Sequence, residues 1–409
     1  MSFLLMSGWT PPLKRAAAVV QQSNIVLVLS RRIFRMASGE ENTAEGILSQ
    51  FSTDIEAQRH SSFSWLPSWK PTSRELLEEA EREVLQNITR GFDNLYVPIG
   101  GDSFIRTITL SPETQSPPPS PPLVMVHGFG AGLCCFFRNF EGLAKKRRVF
   151  AFDVLGFGRS SRSDFSTDTE RVEEEFVSSI ENWRAAMGLD KMILLGHSLG
   201  AFMSTSYAMK YPNRVQHLIL VEPWGFNRKP EVIDSEFAQS RKYKIAQSFT
   251  GRFNMFTPVR VAGPLGPYLV TRFRPDLEEK FGPQFMKYVY HCNAQKPTGE
   301  TGFFYLQVPI AWARRPMLER FDALNPNIPI SLLYGTRSWF DNETGRKVFD
   351  ARPGSYVDVH YVKGAGHHIH ADMPDVFNEI VEYVCELTVD GRDKVVNGEN
   401  REDVAFHTH

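Results

Sequence analysis

The sequence predicts a doubly wound α/β fold with a mostly parallel sheet, on three observations. First, the chain contains short, near-continuous apolar runs, which are typical of strands buried on both faces of a parallel sheet. These runs cover residues 104–110, 123–127, 149–153, 192–196 and 217–221. Second, helical stretches such as 170–187 and 202–211 lie between them. Third, the alternation stops at Phe226 and resumes with strands at 329–335 and 356–363, which indicates an inserted helical lid.

Composition excludes several classes of protein. The 409 residues are 42% hydrophobic, enough for a large core, so global disorder is excluded. With 46 basic and 47 acidic residues, the net charge of -1 argues against a nucleic-acid binder that works through bulk charge. The four cysteines form no disulfide framework, which favours a reduced compartment. No apolar run approaches the ~20 residues that span a bilayer, so any membrane contact is expected to be peripheral.

The chain divides into six predicted segments. Residues 1–60 are expected to be a disordered extension or a targeting peptide, because no acid occurs before Glu40 whereas several arginines do. Residues 61–92 contain tryptophans and an amphipathic helix, and the polar residues 389–409 are expected to be a disordered tail. The core is divided into 93–226 and 326–388, on either side of a lid at 227–325.

A nucleophile is predicted where a strand runs into a glycine-flanked serine and then a helix. The motif is Gly196-His197-Ser198-Leu199-Gly200. A sharp strand-to-helix turn exposes the serine hydroxyl and tolerates only small residues two positions away on either side. We therefore predict Ser198 as the nucleophile. The Leu199 amide, in the first turn of the helix, is the first predicted donor to an oxyanion.

A second turn supports this hypothesis. The strand at 123–126 leads into His127-Gly128-Phe129-Gly130, the H-G-x-G turn that supplies the other oxyanion donor in α/β-hydrolases. The backbone N–H of Phe129 is the predicted donor.

The catalytic base is predicted from chain order, which is serine, acid and then histidine in this fold. His367 directly follows the glycine turn after the last apolar strand, and His368 and His370 are its neighbouring competitors. No regular spacing puts all three on one face, so no metal site is expected.

Two residues compete for the role of the triad acid. Ser338 occupies the position three residues past Gly335, where an acid is common in hydrolases. The next acid is Asp341, which is favoured, and Glu343 is the alternative. An ionised carboxylate there would orient and stabilise His367.

Five longer motifs resemble one α/β-hydrolase subfamily, the abhydrolase domain-containing proteins four and five. The matching segments are 65–73 (WLPSWKPTS), 152–161 (FDVLGFGRSS), 218–226 (LILVEPWGF), 290–295 (YHCNAQ) and 312–318 (WARRPML). The resemblance covers about residues 64 to 389.

This resemblance implies lipid metabolism without a cofactor. The number-four type acts as a lysophospholipase on N-acyl phosphatidylethanolamine. The number-five type sits on lipid droplets, activates a triglyceride lipase and acylates lysophosphatidic acid, and its vertebrate members carry asparagine at the elbow. Ser198 therefore favours a serine hydrolase of (lyso)phospholipids. The alternative is a lipid-droplet coactivator, with a lipase or droplet coat protein as partner.

Two further features bear on this expectation. His367 and Asp372 form the H-x-x-x-x-D pattern linked to glycerolipid acyl transfer, although an acid at that offset is a weak signal. Trp65 and Trp69, together with the acid-free, basic and aromatic stretch 237–275, suit a lipid–water interface. We expect a cytoplasmic protein, peripheral on droplets or endoplasmic reticulum, with mitochondrial association as an alternative.

Overall fold

A nine-stranded sheet crosses the protein. The computed structural model describes residues 72–113, 120–230, 248, 251, 253–309, 311–338, 343–393 and 406–409. The strands are β1 (Asp93–Gly100), β2 (Ser103–Leu110), β3 (Leu123–Val126), β4 (Val149–Phe152), β5 (Met192–His197), β6 (Val215–Val221), β7 (Gln307–Val308), β8 (Trp312–Ala313), β9 (Ile330–Gly335), β10 (Val357–Val362) and β11 (Phe406–Thr408). The sheet has the order β1-β2-β4-β3-β5-β6-β9-β10-β11, and β7 and β8 pair separately.

The pairing confirms the mostly parallel sheet. β1 and β2 run antiparallel to each other, and β2 also pairs antiparallel with β4. From β4 onward each pair of neighbouring strands is parallel. Alternate residues of β5 enter opposite hydrophobic layers, with Ile193 and Leu195 in one layer and Leu194 in the other. Burial on both faces explains why these strands are apolar at nearly every position.

Helices cover both faces of the sheet. They are α1 (Arg74–Leu85), α2 (Phe140–Leu143), α3 (Thr169–Ala186), α4 (Leu199–Lys210), α5 (Thr257–Val261), α6 (Gly266–Phe273), α7 (Pro275–Phe281), α8 (Pro283–Ala294), α9 (Thr298–Leu306), α10 (Glu343–Ala351), α11 (Ile369–Asp372) and α12 (Pro374–Val389). α3 and α4 bury Trp183 and Tyr207 in one layer, whereas α1 and α12 bury Val84 and Val384 in the other. This is the predicted doubly wound arrangement.

The inserted lid is helical, as predicted. The chain leaves the sheet after β6 and returns at β9, and α5 to α9 lie between these two strands. Residues 231–247 of the predicted lid are outside the described part of the chain.

Two strands of the main sheet differ from the sequence-based expectation, and the short pair β7 and β8 in the lid was also not expected. β1 was missed because it is an edge strand that contains Pro98 and whose outer residues are mostly exposed. The expected disorder of residues 389–409 is wrong at its end, because β11 pairs in parallel with β10. Three residues are too few to give a detectable strand pattern.

The predictions for the N-terminal extension and its two tryptophans concern residues that the structure does not describe. Residues 1–71, with Trp65 and Trp69, are outside the described residues. Among the helices that the structure describes, none combines the length and the apolar character needed to cross a bilayer.

Candidate active site

Ser198 lies at a strained turn between β5 and α4. Its φ of 55° and ψ of -116° are unusual for a residue with a side chain. The two flanking glycines allow this close turn. A Cβ on Gly196 would lie 2.4 Å from the Gly200 carbonyl oxygen, and a Cβ on Gly200 would lie 2.3 Å from the Val126 carbonyl oxygen. Steric exclusion by backbone therefore explains the G-x-S-x-G spacing at this site.

Backbone hydrogen bonds hold the turn in place. The Ser198 amide donates to the Val221 carbonyl oxygen over 3.0 Å, and the Trp224 amide donates to the Ser198 carbonyl oxygen over 3.2 Å. The elbow is thus joined to the end of β6 without the serine hydroxyl. The Leu199 amide lies in the first turn of α4, where helical amides have no partner within the helix.

The His127–Gly130 turn packs directly against the nucleophile. A Cβ on Gly128 would lie 3.0 Å from the Ser198 Cβ. The His127 ring fixes the turn, because its Nε2 accepts from the Val154 amide at 2.9 Å and its Nδ1 lies 2.8 Å from the Gly128 carbonyl oxygen. The proton therefore belongs on Nδ1, which donates to that oxygen. Phe129 directly follows Gly128 in this turn, and its amide stays the predicted oxyanion donor.

His367 lies on the loop after β10 and faces a carboxylate. Its Nδ1 is 3.3 Å from Oε2 of Glu222, which directly follows β6. The His197 side chain holds the loop, since its Nε2 lies 2.9 Å from the His367 carbonyl oxygen. His367 and Glu222 are only 2% and 0% exposed. Glu222 and His367 thus pair at the carboxyl ends of β6 and β10, and His197, the residue before Ser198, contacts the same loop.

Hydrogen bonds from the end of β9 and from the residues after it hold the carboxylate of Glu222 in place. Oε1 accepts from the Gly335 amide at 2.6 Å, and Oε2 accepts from the Ser338 hydroxyl. Burial raises the pKa of Glu222 to about 8, although these two hydrogen bonds oppose the shift. Burial, with Arg274 and Lys280 nearby, lowers the pKa of His367 to about 3. His367 is therefore neutral at physiological pH, as a general base must be.

The neighbouring His370 is buried for a different reason. His370 packs against Phe136 and Phe377, with ring centroids 5.1 and 6.0 Å away. Neither of its ring nitrogens has a hydrogen-bond partner among the described residues. Burial keeps the pKa values of His368 and His370 well below the ordinary value. These contacts make His370 a core residue.

Asp372 of the H-x-x-x-x-D pattern supports the His367 loop. Its Oδ2 accepts from the Gly366 amide at 2.7 Å, and its Oδ1 forms an ion pair with Lys280 Nζ at 2.6 Å. Both oxygens hold other groups, so the geometry favours a positioning role for Asp372.

The lid packs on the turn that carries Phe129. The Phe129 ring stacks on Phe256 at 5.3 Å and lies 4.3 Å from Phe303. The side-chain amide of Asn293 donates to the Gly130 carbonyl oxygen at 2.8 Å. The described part of the basic, aromatic stretch is therefore partly internal, and Arg260 pairs with the buried Glu300 at 2.6 Å.

A known family model matches the part of the chain that contains the candidate site. Residues 121–374, which contain the elbow, the Phe129 turn and His367, match the model of the alpha/beta hydrolase fold family. The chain belongs to the α/β-hydrolase family.

Similar proteins share most of the length of this α/β-hydrolase. It is 48% identical over 342 residues to the (lyso)-N-acylphosphatidylethanolamine lipase of Homo sapiens, covering 81% of this chain and 98% of that protein. It is 46% identical over 324 residues to the 1-acylglycerol-3-phosphate O-acyltransferase ABHD5 of Rattus norvegicus, covering 78% of this chain and 91% of that protein. These identities confirm the subfamily resemblance.

Solved structures agree on the fold. The carboxylesterase CesB from Bacillus subtilis has a TM-score of 0.54 at 15% identity and covers 76% of this chain and 98% of that one. A membrane phospholipase A, described as a bacterial virulence factor, has a TM-score of 0.54 at 17% identity and covers 85% and 99%.

Glu222 is the site residue that the sequence analysis missed. Asp341 lies outside the described residues and stays a prediction, whereas Glu343 is exposed at the start of α10. Glu222 keeps the order serine, acid, histidine, and it stands inside the LILVEPWGF motif directly after a buried strand. Its φ of 48° adds a second strained residue at the site. The signal available in the sequence was an acidic residue directly after β6, the strand that follows the elbow helix.

Proposed function

We propose that this α/β-hydrolase is a serine hydrolase that cleaves acyl esters of (lyso)phospholipids such as N-acyl phosphatidylethanolamine. The observation that carries the proposal is the strained elbow at Ser198, with the Gly128 turn packed against it and the His367–Glu222 pair on the loop that His197 holds. Ser198, His367 and Glu222 are the candidates for nucleophile, base and acid, and the Phe129 and Leu199 amides are the predicted oxyanion donors.

The reaction runs through an acyl-serine. Ser198 Oγ attacks the ester carbonyl carbon, and its proton passes to His367 Nε2. The Phe129 and Leu199 amides hold the oxyanion. His367 then gives the proton to the departing alcohol oxygen as the carbon–oxygen bond breaks. Water attacks the acyl-serine, its proton returns through His367 to Ser198, and the fatty acid leaves.

Two observations support a lipid substrate. The (lyso)-N-acylphosphatidylethanolamine lipases are similar over most of the chain. The turn beside Ser198 is lined by the Phe129, Phe256 and Phe303 rings, whose apolar surface suits an acyl chain.

An exposed apolar strip supports peripheral attachment to a droplet or reticulum surface. Val261, Leu265 and Tyr268 on the lid are 38%, 46% and 63% exposed. Arg272, in the same region, is also exposed. Apolar side chains beside a cation favour the surface of a lipid layer with anionic headgroups.

Acyl transfer is the second candidate function. The similarity to the 1-acylglycerol-3-phosphate O-acyltransferase ABHD5 favours it. The same acyl-serine would react with the hydroxyl of lysophosphatidic acid instead of water. Ser198 is only 8% exposed, and such a closed site restricts water.

One experiment separates these functions from the coactivator alternative. Purified protein is incubated with a fluorophosphonate probe, with N-acyl phosphatidylethanolamine, and with acyl-CoA plus lysophosphatidic acid. We expect stoichiometric labelling and fatty-acid release, and both should be lost in Ser198→Ala.

The acyl-transfer arm uses two variants. Any transfer should require Ser198 and largely survive Asp372→Asn. Transfer that persists without Ser198 and disappears without Asp372 would establish a separate acyltransferase dyad. Absence of labelling and turnover would contradict the hydrolase proposal and favour a coactivator.

A further inference from the structure

A cluster of metal-ligating side chains lies where β11 joins the sheet, on strands away from Ser198. Asp358 and His360 are two residues apart on β10, so they share one face of the sheet. His407 lies opposite His360 in the register of β10 and β11. One ligand atom of each residue lies within 4.8 Å of the other two.

Surrounding groups already orient two of these side chains. Nε2 of His360 lies 3.0 Å from Asp358 Oδ2, which also accepts from the Tyr356 hydroxyl at 3.1 Å. Asp358 is 1% exposed, and its Oδ1 has no hydrogen bond of good geometry among the described residues, although the Ser331 side chain lies near this carboxylate. A buried carboxylate oxygen without a partner is costly unless something binds it.

His409 adds a supporting contact. Its Nε2 lies 2.9 Å from Nδ1 of His360. If Nε2 of His360 faces a cation, Nδ1 carries the proton and donates to His409. A hydrogen bond on the second ring nitrogen is what usually fixes the tautomer of a metal-binding histidine.

We propose that Asp358, His360 and His407 bind a zinc-type divalent ion. Two imidazoles and one carboxylate form a donor set that zinc accepts. Tetrahedral coordination needs ligand atoms about 3.3 Å apart. Nε2 of His360 and Oδ2 of Asp358 are already 3.0 Å apart. His407 is partly exposed, and rotation of its side chain brings its ligand nitrogen to the same distance from both.

The ion would fasten β11 to the sheet near the catalytic loop. The backbone already joins them there, with the Lys363 amide donating to the His409 carbonyl oxygen at 2.8 Å and the His409 amide donating to Tyr361 at 2.9 Å. Lys363 and Gly364 form the turn that leads to the His367 loop. Bound zinc therefore stabilises the strand end from which His367 projects.

The test uses the full chain, freed of metal with a chelator and then titrated with zinc chloride by calorimetry. We expect one strong site per chain, no comparable binding of magnesium, and a rise in melting temperature with zinc. Cobalt in place of zinc should give the visible absorption of a tetrahedral site.

Three variants locate the ion. His407→Ala and Asp358→Asn should each weaken zinc binding at least about tenfold and lose the cobalt spectrum. Thr408→Ala, an exposed neighbour on the same strand, is the matched control and should bind like the wild type. His407→Ala decides the question if Asp358→Asn fails to fold, because His407 lies at the edge. Equal binding by His407→Ala and wild type, or no binding by the wild type, overturns the proposal.

Discussion

His367 Nδ1 lies 3.3 Å from Glu222 Oε2, at a point where neither side chain reaches solvent. In a hydrolase triad, the acid holds the imidazole in the tautomer that leaves Nε2 free to take the serine proton. Glu222 meets this requirement from the end of β6, the strand next to the elbow strand.

We expect Ser198→Ala to lower the turnover of a soluble ester at least about 1,000-fold, because no other group replaces the nucleophile. Labelling by a fluorophosphonate probe should also disappear, while the thermal unfolding curve stays close to that of the wild type. Ser204→Ala is the matched control, since Ser204 is a fully buried serine on α4 whose hydroxyl has no hydrogen-bond partner among the described residues. Turnover that is equal in Ser198→Ala and Ser204→Ala would contradict the assignment.

Glu222→Gln tests the acid. The amide keeps the shape but cannot stabilise the imidazolium, so we expect a loss in kcat of about 100- to 10,000-fold. Asp341→Asn and Glu343→Gln are the comparison variants, and both should lower kcat less than Glu222→Gln does. A loss in Asp341→Asn that equals or exceeds the loss in Glu222→Gln would assign the role to Asp341.

The pH profile gives an independent test of Glu222. Its pKa is raised to about 8, and only the ionised form stabilises a protonated His367. We therefore expect kcat/KM for a soluble ester to rise with pH and to level off above about pH 8. Glu222→Gln should lose this rise. A profile that is flat between pH 6 and 9 in the wild type would contradict the prediction.

Stability at acidic pH depends on the buried histidines. The pKa values of His127 and His367 are lowered from 6.5 to about 4 and about 3 by burial, and that of His370 lies well below 6.5. Below pH 6.5 the unfolded chain therefore binds protons that the folded chain does not. These histidines therefore contribute a free energy of unfolding that falls as pH falls, by up to about 1.4 kcal/mol per pH unit for each group, whereas Glu222, whose pKa is raised, contributes with the opposite sign.

His370→Leu isolates one of these groups. It removes a buried imidazole whose nitrogens have no partner among the described residues, so we expect a shallower loss of stability below pH 6.5. The variant should also be about 1 kcal/mol more stable at pH 7, because an unpaired polar group leaves the core. Chemical denaturation between pH 4.5 and 7 measures both effects. A slope equal to that of the wild type would show that His370 does not contribute.

Trp65 and Trp69 test the predicted lipid surface. Indole rings favour the lipid–water boundary, so changing both to Ala should release the protein from lipid droplets. Turnover of a soluble ester should stay unchanged. Flotation of droplets with the bound protein measures the first result, and lower thermal stability of the variant would show that the rings pack on the core instead.

The sequence predicted the sheet, the elbow and His367 because their signals are local. A buried parallel strand is apolar at nearly every position, and the G-x-S-x-G spacing follows from contacts of Gly196 and Gly200 with nearby backbone. Glu222 was missed because its role depends on a contact with His367 across 145 residues of chain. The pairing of β11 was missed for the same reason, since only the register with β10 makes these three residues a strand.

The backbone hydrogen bonds at the elbow hold its conformation without using the catalytic side chain. The links from Ser198 to Val221 and from Trp224 to Ser198 use main-chain atoms alone, so they survive any side chain that tolerates a positive φ. Asparagine is among the residues that tolerate such angles best. A single substitution at position 198 can thus abolish hydrolysis while the lid and the sheet persist. A lineage that starts from this architecture can retain the fold for recruitment of other proteins after its catalysis is gone.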